Sequence, residues 1–138
     1  MLAITTKSID PTAVEAAVAR PEAGAVLTFS GVTRNNFAHR TVTGLRYEAY
    51  EPMALAEMAS IRDEVLARWP GARVAMVHRI GQVDVGETSV VIAVSTPHRD
   101  ACYAASRFAI DALKSRVPIW KKEQYADGAD AWKENQTP

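Results

Sequence analysis

The chain has 138 residues, 48% of them hydrophobic, with 16 basic and 16 acidic side chains, so its formal net charge is zero. This composition excludes a disordered chain and disfavours a uniformly basic nucleic-acid binder. The single cysteine, Cys102, excludes an intrachain disulfide and a cysteine-rich metal site. No apolar run approaches the roughly 20 residues of a membrane span, and the first residues lack a signal-peptide pattern. We therefore expect one soluble, cytoplasmic domain over residues 1–138 that binds neither nucleic acid nor membrane.

The first half of the chain predicts strands that alternate with two helices. Asp10 followed by Pro11 is typical of a helix start, and Pro21 limits that helix. The polar residues 33–41 show no clear period and predict a mobile connection, longer than a tight hairpin needs. The predicted strands cover 2–6, 25–32 and 42–50, and a long helix covers 52–69 with an apolar stripe of Leu55, Met58, Ile61, Val65 and Trp69.

The second half repeats this alternation. Strands are predicted over 73–80 and 89–95, with a turn-rich stretch between Gly81 and Gly86. A helix over 99–116 is limited by Pro118, and a short strand over 119–125 precedes a turn at Asp127–Gly128 and a tail with Trp132. The order βαββαββα(β) predicts an α+β fold in which helices pack against a mixed, largely antiparallel sheet.

One candidate site lies where a buried strand leads into the third helix. Thr96, Pro97, His98 and Arg99 occupy this junction. A helix N-terminus offers free N–H groups to an anion, and a cation there is unfavourable unless something negative binds. The alternative is that Arg99 is an exposed side chain paired with an acid and that His98 is a polar cap.

A second candidate is the basic segment around Pro118. Between His98 and Lys122 the chain carries six basic and two acidic side chains, a net charge of +4. Clustered cations lower the pKa of any lysine among them and favour phosphate or carboxylate ligands. The alternative is a solvated helix surface on which Lys114 pairs with Asp111. The sequence leaves both interpretations open.

Other polar residues carry weaker signals. Arg34, with Asn35 and Asn36, follows a buried strand and is either a ligand contact or a solvated loop. His78 lies among apolar residues and is predicted to be a core histidine, and Cys102 is predicted to pack as a small hydrophobic residue. The chain lacks metal-ligand spacings, GxGxxG and GxxxxGK[ST], so we expect no metal and no resident cofactor.

Five segments together resemble the catalytic (large) subunit family of molybdopterin synthase. The last two, with their PHR and LKSRVPIWKKE blocks, are the most specific, and the similarity runs in order from about Gly24 to Trp132. The segments are GAVLTFSGVTRN (24–35), LRYEAYEPMA (45–54), RWPGARVAMVHRIGQVDVGE (68–87), STPHRDA (95–101) and LKSRVPIWKKE (113–123).

The resemblance implies a fold, a reaction and partners. The fold is of the α/β hammerhead type, and the large subunit is a homodimer within a heterotetramer. The enzyme installs two sulfurs on cyclic pyranopterin monophosphate to form the dithiolene of molybdopterin. Sulfur arrives as a thiocarboxylate on the C-terminal Gly-Gly of a small ubiquitin-like subunit, in agreement with a chain whose only thiol is predicted to be packed.

The resemblance also implies roles for individual residues. Lys114 and Lys121 match the family's two catalytic lysines. The substrate-contacting blocks correspond to Val32, Thr33, Arg34, His98, Arg99, Lys122 and Glu123, with Lys121 inside the last block. Arg34, His98 and Arg99 are expected to hold the phosphate and pterin, Lys114 to act as acid, base or amine nucleophile, and Lys121 to stabilise developing negative charge.

Two features depart from the family pattern, and two other interpretations compete with it. Thr33 stands where many relatives have valine, and the tail KENQTP (133–138) lacks an arginine found in some relatives, which puts a contribution of the tail to the pocket in doubt. The competing interpretations are a non-catalytic anion-binding module and a degenerate structural paralogue. Retention of both Lys114 and Lys121 argues against the paralogue.

Overall fold

A computed structural model describes residues 1–128 and 130–135. It contains three helices and nine strands within those residues. In chain order they are β1 (Leu2–Thr5), α1 (Pro11–Ala16), β2 (Ala25–Val32), β3 (Asn36–Phe37), β4 (Arg40–Ala49), α2 (Glu51–Arg68), β5 (Arg73–Arg79), β6 (Gly81–Asp84), β7 (Thr88–Thr96), α3 (Arg99–Arg116), β8 (Ile119–Tyr125) and β9 (Ala131–Glu134).

The strands form two sheets. The first has the order β1-β5-β7-β2, and only its β1–β5 pair is parallel. In the second, β4 pairs with β3, β6 and β8, and β8 pairs with β9, all antiparallel. The prediction of an α+β fold with largely antiparallel pairing is confirmed, with the strands divided between two sheets.

Helices cover both faces of the first sheet because β5 and β7 are apolar on both sides. Val77 and Val91 pack with Val14 and Val18 in and beside α1. Met76 and Ile92 point to the opposite face, into the main core. That core also receives the apolar faces of α2 and α3 and the inner side of the second sheet, including Leu45, Tyr47 and Ile119. The two central strands, β5 and β7, are therefore nearly continuous apolar runs.

The capping and proline residues singled out in the sequence set several helix boundaries. Asp10 caps α1 by accepting a hydrogen bond from the Thr12 N–H at 3.0 Å, with Pro11 as the first helical residue. α3 begins at Arg99 and ends at Arg116, as predicted, because the residue before Pro118 is extended. No helix in the described part of the chain has both the length and the apolarity to span a bilayer.

The connection predicted to be long and mobile is instead a tight hairpin. Phe37 pairs with Arg40, and the two residues between them, Ala38 and His39, adopt φ values of 49° and 63°. Such values suit a two-residue turn of the type that matches strand twist. The turn was not predicted, because neither of its central residues is the glycine or asparagine that usually occupies such positions.

Two short strands and one side of α2 also differ from expectation. The predicted turn after Gly81 contains β6, which pairs with β4, and the predicted tail contains β9, which pairs with β8. In α2 the buried positions are Ala54, Met58, Ile61 and Val65, whereas Leu55 is exposed. The apolar stripe was therefore correct except at its first residue, where Ala54 takes the inner position.

Candidate active site

A pocket of about 230 Å³, lined by both apolar and charged side chains, opens between the two sheets and the end of α3. Its walls come from the end of β2, the β3–β4 hairpin, the start of β7, α3 and β8. The lining side chains that carry charge are Arg34, Lys114, Lys121 and Glu123, and the lining also includes Phe29, Val32, Thr33, Phe37 and Tyr47. Three of the four charged groups are cationic, so the pocket suits an anionic ligand.

The end of β2 supplies one wall through Val32, Thr33 and Arg34. The Thr33 N–H donates to the carbonyl of Glu87 at 3.0 Å, and its carbonyl accepts from the Gly86 N–H at 2.9 Å. These bonds fix the strand end where Arg34 projects into the pocket. The Thr33 hydroxyl is buried and has no hydrogen-bond partner among residues 1–128 and 130–135.

Lys114 enters the pocket from the last turn of α3. Its Nζ donates to Oδ1 of Asn135 at 2.9 Å. Burial and, second, the nearby charge of Lys121 lower its pKa to about 8. The alternative pair with Asp111 does not form; Asp111 instead accepts from Arg107 at 2.8 Å. Lys114 is therefore a partly desolvated amine near its titration point at neutral pH.

Lys121 and Glu123 enter from β8, where alternate residues share a face. Burial lowers the pKa of Lys121, Glu123 opposes that effect, and Lys133 and Arg34 add to it. Lys122 points to the other face, 3.9 Å from Asp130 and over the ring of Trp132. Of the predicted Lys121–Glu123 block, only the first and last residues line the pocket.

Glu123 is held by groups that the sequence did not reveal. Its Oε2 accepts from the Tyr125 hydroxyl and from Nζ of Lys133, the latter at 3.1 Å. Burial acts to raise the pKa of Glu123, but these two donors and the charges of Lys133 and Lys121 bring it below its usual value. Glu123 is therefore an anion that supports Lys121.

His78 is buried behind Lys114, and its prediction as a core histidine is confirmed. Its ring meets Tyr47 edge-to-face at a centroid distance of 5.0 Å. Nδ1 lies 2.8 Å from the carbonyl oxygen of Arg79, and Nε2 lies 3.2 Å from Nδ2 of Asn135. Burial lowers its pKa to about 3, so the ring is neutral at physiological pH.

His98 and Arg99 lie at the opposite end of α3 from Lys114. Lys114 lies fifteen positions after Arg99 in α3, which corresponds to about 22 Å along the helix. His98 and Arg99 border a separate pocket with Asp100. One copy of the chain therefore brings together Val32, Thr33, Arg34, Lys114, Lys121 and Glu123, and leaves His98, Arg99 and Lys122 outside this pocket.

The basic segment is divided between two kinds of surroundings. Arg107 pairs with Asp111, and Arg116 pairs with Glu57 and Glu64 of α2, so these two guanidinium groups brace helices. Lys114 and Lys121 face the pocket. The six basic side chains behind the net charge of +4 therefore do not form one surface: Arg107 and Arg116 are in ion pairs, and Lys114 and Lys121 line the pocket.

The only thiol of the chain lies away from the pocket. Cys102 is 2% exposed within the main core. Its Sγ donates to the carbonyl of Val94 at 3.4 Å. The prediction that Cys102 packs as a small hydrophobic residue is confirmed, and the pocket contains amines, a guanidinium and a carboxylate but no sulfur nucleophile.

The chain is similar to known proteins along most of its length. The family model described as MoaE protein matches residues 4–116. This chain belongs to the MoaE family. It is 54% identical over 121 residues to molybdopterin synthase catalytic subunit 1 of Aedes aegypti, covering 86% of this chain and 78% of the relative. It is 50% identical over 111 residues to the catalytic subunit of Bacillus subtilis, covering 80% and 71%.

Solved structures of MoaE-family proteins share the fold. A molybdopterin synthase from Staphylococcus aureus superposes with a TM-score of 0.90 at 38% identity, covering 94% of each chain. A MoaE protein from Burkholderia ambifaria gives a TM-score of 0.83 at 32% identity, covering 99% of this chain and 91% of its own. The family resemblance of the sequence blocks is therefore confirmed.

Proposed function

We propose that this chain is the catalytic subunit of a molybdopterin synthase. It transfers two sulfurs from the thiocarboxylated C-terminus of a small ubiquitin-like subunit to cyclic pyranopterin monophosphate, forming the dithiolene of molybdopterin. The observation that carries the proposal is the convergence of Lys114 and Lys121, both with lowered pKa, on a cationic pocket without a thiol. The catalytic-subunit names of the relatives support the same reaction.

The two lysines divide the chemistry. Lys114, whose pKa is lowered to about 8, exchanges a proton or attacks an electrophilic carbon as a free amine. Lys121 lies 3.8 Å from Glu123, which favours its charged form, and so stabilises negative charge on the thiocarboxylate or on the opening cyclic phosphate. Proton exchange and charge stabilisation are thereby assigned to separate groups.

The end of β2 supplies the substrate-binding wall of the pocket. Arg34 binds the phosphate through its planar guanidinium. Val32 and Thr33 form the wall beside it. Glu123 acts through Lys121, since its carboxylate is nearly buried and already bonded. Lys122 lies on the opposite face of β8, near Asp130, and does not line this pocket.

The sulfur comes from outside this chain. Cys102 is enclosed in the core and cannot carry a persulfide to the pocket without unfolding α3. An extended C-terminal tail ending in Gly-Gly suits a narrow pocket, because glycine places no side chain between its backbone and the walls. Each dithiolene consumes two such thiocarboxylates, one per sulfur.

A second copy of the chain supplies His98 and Arg99. These residues lie about 22 Å along α3 from Lys114 in the same copy, farther than one pterin phosphate spans. They contact the substrate bound near Lys114 only if a homodimer places α3 of one copy beside the pocket of the other. The complete enzyme is then a heterotetramer of two large and two small subunits.

A single-turnover assay with the thiocarboxylated small subunit and the cyclic precursor tests the function. The wild-type chain is expected to form dithiolene, whereas Lys114→Ala loses at least about 100-fold in rate. Lys7→Ala, at an exposed lysine, is the matched control and keeps the wild-type rate. Retained turnover in Lys114→Ala contradicts the assignment, and precursor binding without turnover by the wild type favours the anion-binding module.

A further inference from the structure

A chain of three hydrogen bonds connects the backbone of β5 to the Lys114 amine. It runs from the Arg79 carbonyl to Nδ1 of His78 at 2.8 Å and from Nε2 of His78 to Nδ2 of Asn135 at 3.2 Å. It ends with Oδ1 of Asn135 and Nζ of Lys114 at 2.9 Å. His78 and Asn135 are 0% and 2% exposed, so the bond between them is shielded from solvent.

The chemistry of each group fixes the direction of the chain. A carbonyl oxygen only accepts, so Nδ1 of His78 must carry a proton and donate it to Arg79. A neutral imidazole has one N–H, and Nε2 is therefore an acceptor. Only the NH₂ end of the Asn135 amide can donate to it, which turns the amide oxygen toward Lys114.

Asn135 is the only side chain in the described ranges 1–128 and 130–135 that accepts a hydrogen bond from Lys114, and no carboxylate there lies within 4.0 Å of its Nζ. A neutral acceptor holds the amine without a counter-charge. Lys121, by contrast, has the carboxylate of Glu123 beside its amine. Holding an amine without neutralising it keeps both of its protonation states accessible.

Building on the proposed function, we propose that Asn135 is a positioning residue for the Lys114 amine, and that the tautomer of His78 sets the orientation of the Asn135 amide. The backbone carbonyl of Arg79 thus determines, through two side chains, which group faces the reacting amine. Neither Asn135 nor His78 touches the pocket lumen, so both act through Lys114.

Several other charged or titratable groups surround Lys114 and bear on any measurement of its titration. On the pocket side they are Arg34, Tyr47, Lys121 and Glu123, with Lys133 behind Glu123. On the far side Arg116 and Glu134 border a second small cavity with Lys114. A variant at Asn135 leaves all of these in place, so a change in Lys114 is attributable to the amide.

The first test is the ¹⁵N spectrum of His78 in the wild-type chain between pH 5 and 9. The expected result is a neutral ring with a protonated Nδ1 and an unprotonated Nε2 over the whole range. A ring protonated on Nε2 would overturn the proposal, because Nε2 would then donate and the amide nitrogen would face Lys114. This measurement requires neither a variant nor substrate.

The second test titrates Lys114 by NMR of lysine labelled at Cε and Nζ, in the wild type and in Asn135→Asp. A carboxylate in place of the amide is expected to raise the Lys114 pKa by at least about one unit. Ser115→Asp, which adds a charge to the exposed neighbouring position of α3, is the control and gives a smaller shift. A pKa in Asn135→Asp no higher than in the control contradicts the proposal.

The third readout separates this inference from the proposed function. Asn135→Ala is expected to slow single-turnover dithiolene formation about 10- to 100-fold, with a smaller change in the precursor concentration at half-maximal rate. Wild-type protein that fails to form dithiolene but shows the expected His78 tautomer and Lys114 shift disproves the function alone. Full activity in Asn135→Ala disproves the positioning role alone.

Discussion

The Lys121 ammonium lies 3.8 Å from Oε1 of Glu123, two positions further along β8. Both side chains are nearly enclosed, at 12% and 3% exposure, so little water screens their attraction. Lys114, across the same pocket, has an amide acceptor instead. The two lysines of this pocket therefore differ in their neighbours. The carboxylate beside Lys121 favours its charged form, whereas the neutral amide beside Lys114 leaves that amine able to exchange a proton.

Glu123→Gln removes this support and is expected to lower the Lys121 pKa further, because the nearby carboxylate charge that favours the ammonium form is lost. It also leaves Lys133 without its carboxylate partner, so the free energy of unfolding falls by about 2 kcal/mol. Lysine NMR titration and urea unfolding measure the two effects. Glu48→Gln, on the exposed face of β4, is the control and changes neither; an unaltered Lys121 pKa in Glu123→Gln would refute the pairing.

Thr33→Val is expected to stabilise the chain. The Thr33 side chain is buried, and its hydroxyl has no partner among the described residues 1–128 and 130–135. Valine has nearly the same shape without that desolvated hydroxyl, so the free energy of unfolding should rise by about 1 kcal/mol. Urea unfolding measures the change, with Thr12→Val at an exposed position of α1 as the control. A loss of stability would show that the hydroxyl is satisfied in solution.

The sequence predicted those elements whose boundaries are set locally. α3 and β8 lie where Pro118 separates them, and β2 is an apolar run of ordinary strand length. β6 and β9 have four residues each and are stabilised by pairing with β4 and β8. No local sequence pattern indicates such pairing. Their prediction would have required the partner strands to be placed first.

The residues of the candidate site were likewise predicted only in part. Lys114, Lys121 and Arg34 stand in motifs that resemble the family, and the structure brings them together. Asn135 bonds His78 across 57 positions, and its place in the tail gave no sign of that contact. The contribution of the tail to the pocket was in doubt. Two of its side chains hold pocket residues: Lys133 bonds Glu123, and Asn135 bonds Lys114. Residues 136–138 lie outside the described ranges.

His78 makes the chain sensitive to mild acid. Its pKa is lowered from 6.5 to about 3 in the folded chain, so the unfolded chain binds more protons between these values. Stability therefore falls as the pH falls, by about 2 kcal/mol between pH 6.5 and 5. Urea unfolding across this range measures the slope.

Two variants assign that slope to His78. His78→Gln is expected to flatten it, because no buried imidazole remains to be protonated on unfolding. His39→Asn, at the exposed hairpin turn, should retain the wild-type slope. A slope that persists in His78→Gln assigns the acid sensitivity to other groups.

Lys114→Met is expected to abolish activity and to stabilise the fold. The pKa of Lys114 is lowered from 10.5 to about 8, which corresponds to a cost of about 3 kcal/mol for the buried charge below pH 8. Methionine removes that cost but frees the Asn135 oxygen, so the net gain at pH 7 is about 1 to 2 kcal/mol.

The pH dependence of this gain gives the sharper test. Between pH 8 and 10.5 the unfolded wild-type chain holds a proton that the folded chain has lost, so wild-type stability rises with pH across that window. Lys114→Met lacks this rise, and its advantage over the wild type shrinks as the pH increases. Urea unfolding at pH 7, 8.5 and 10 follows both chains. Lys7→Met, at an exposed position, keeps the wild-type profile within about 0.5 kcal/mol. An advantage independent of pH would mean that Met stabilises by packing, not by removing a desolvated charge.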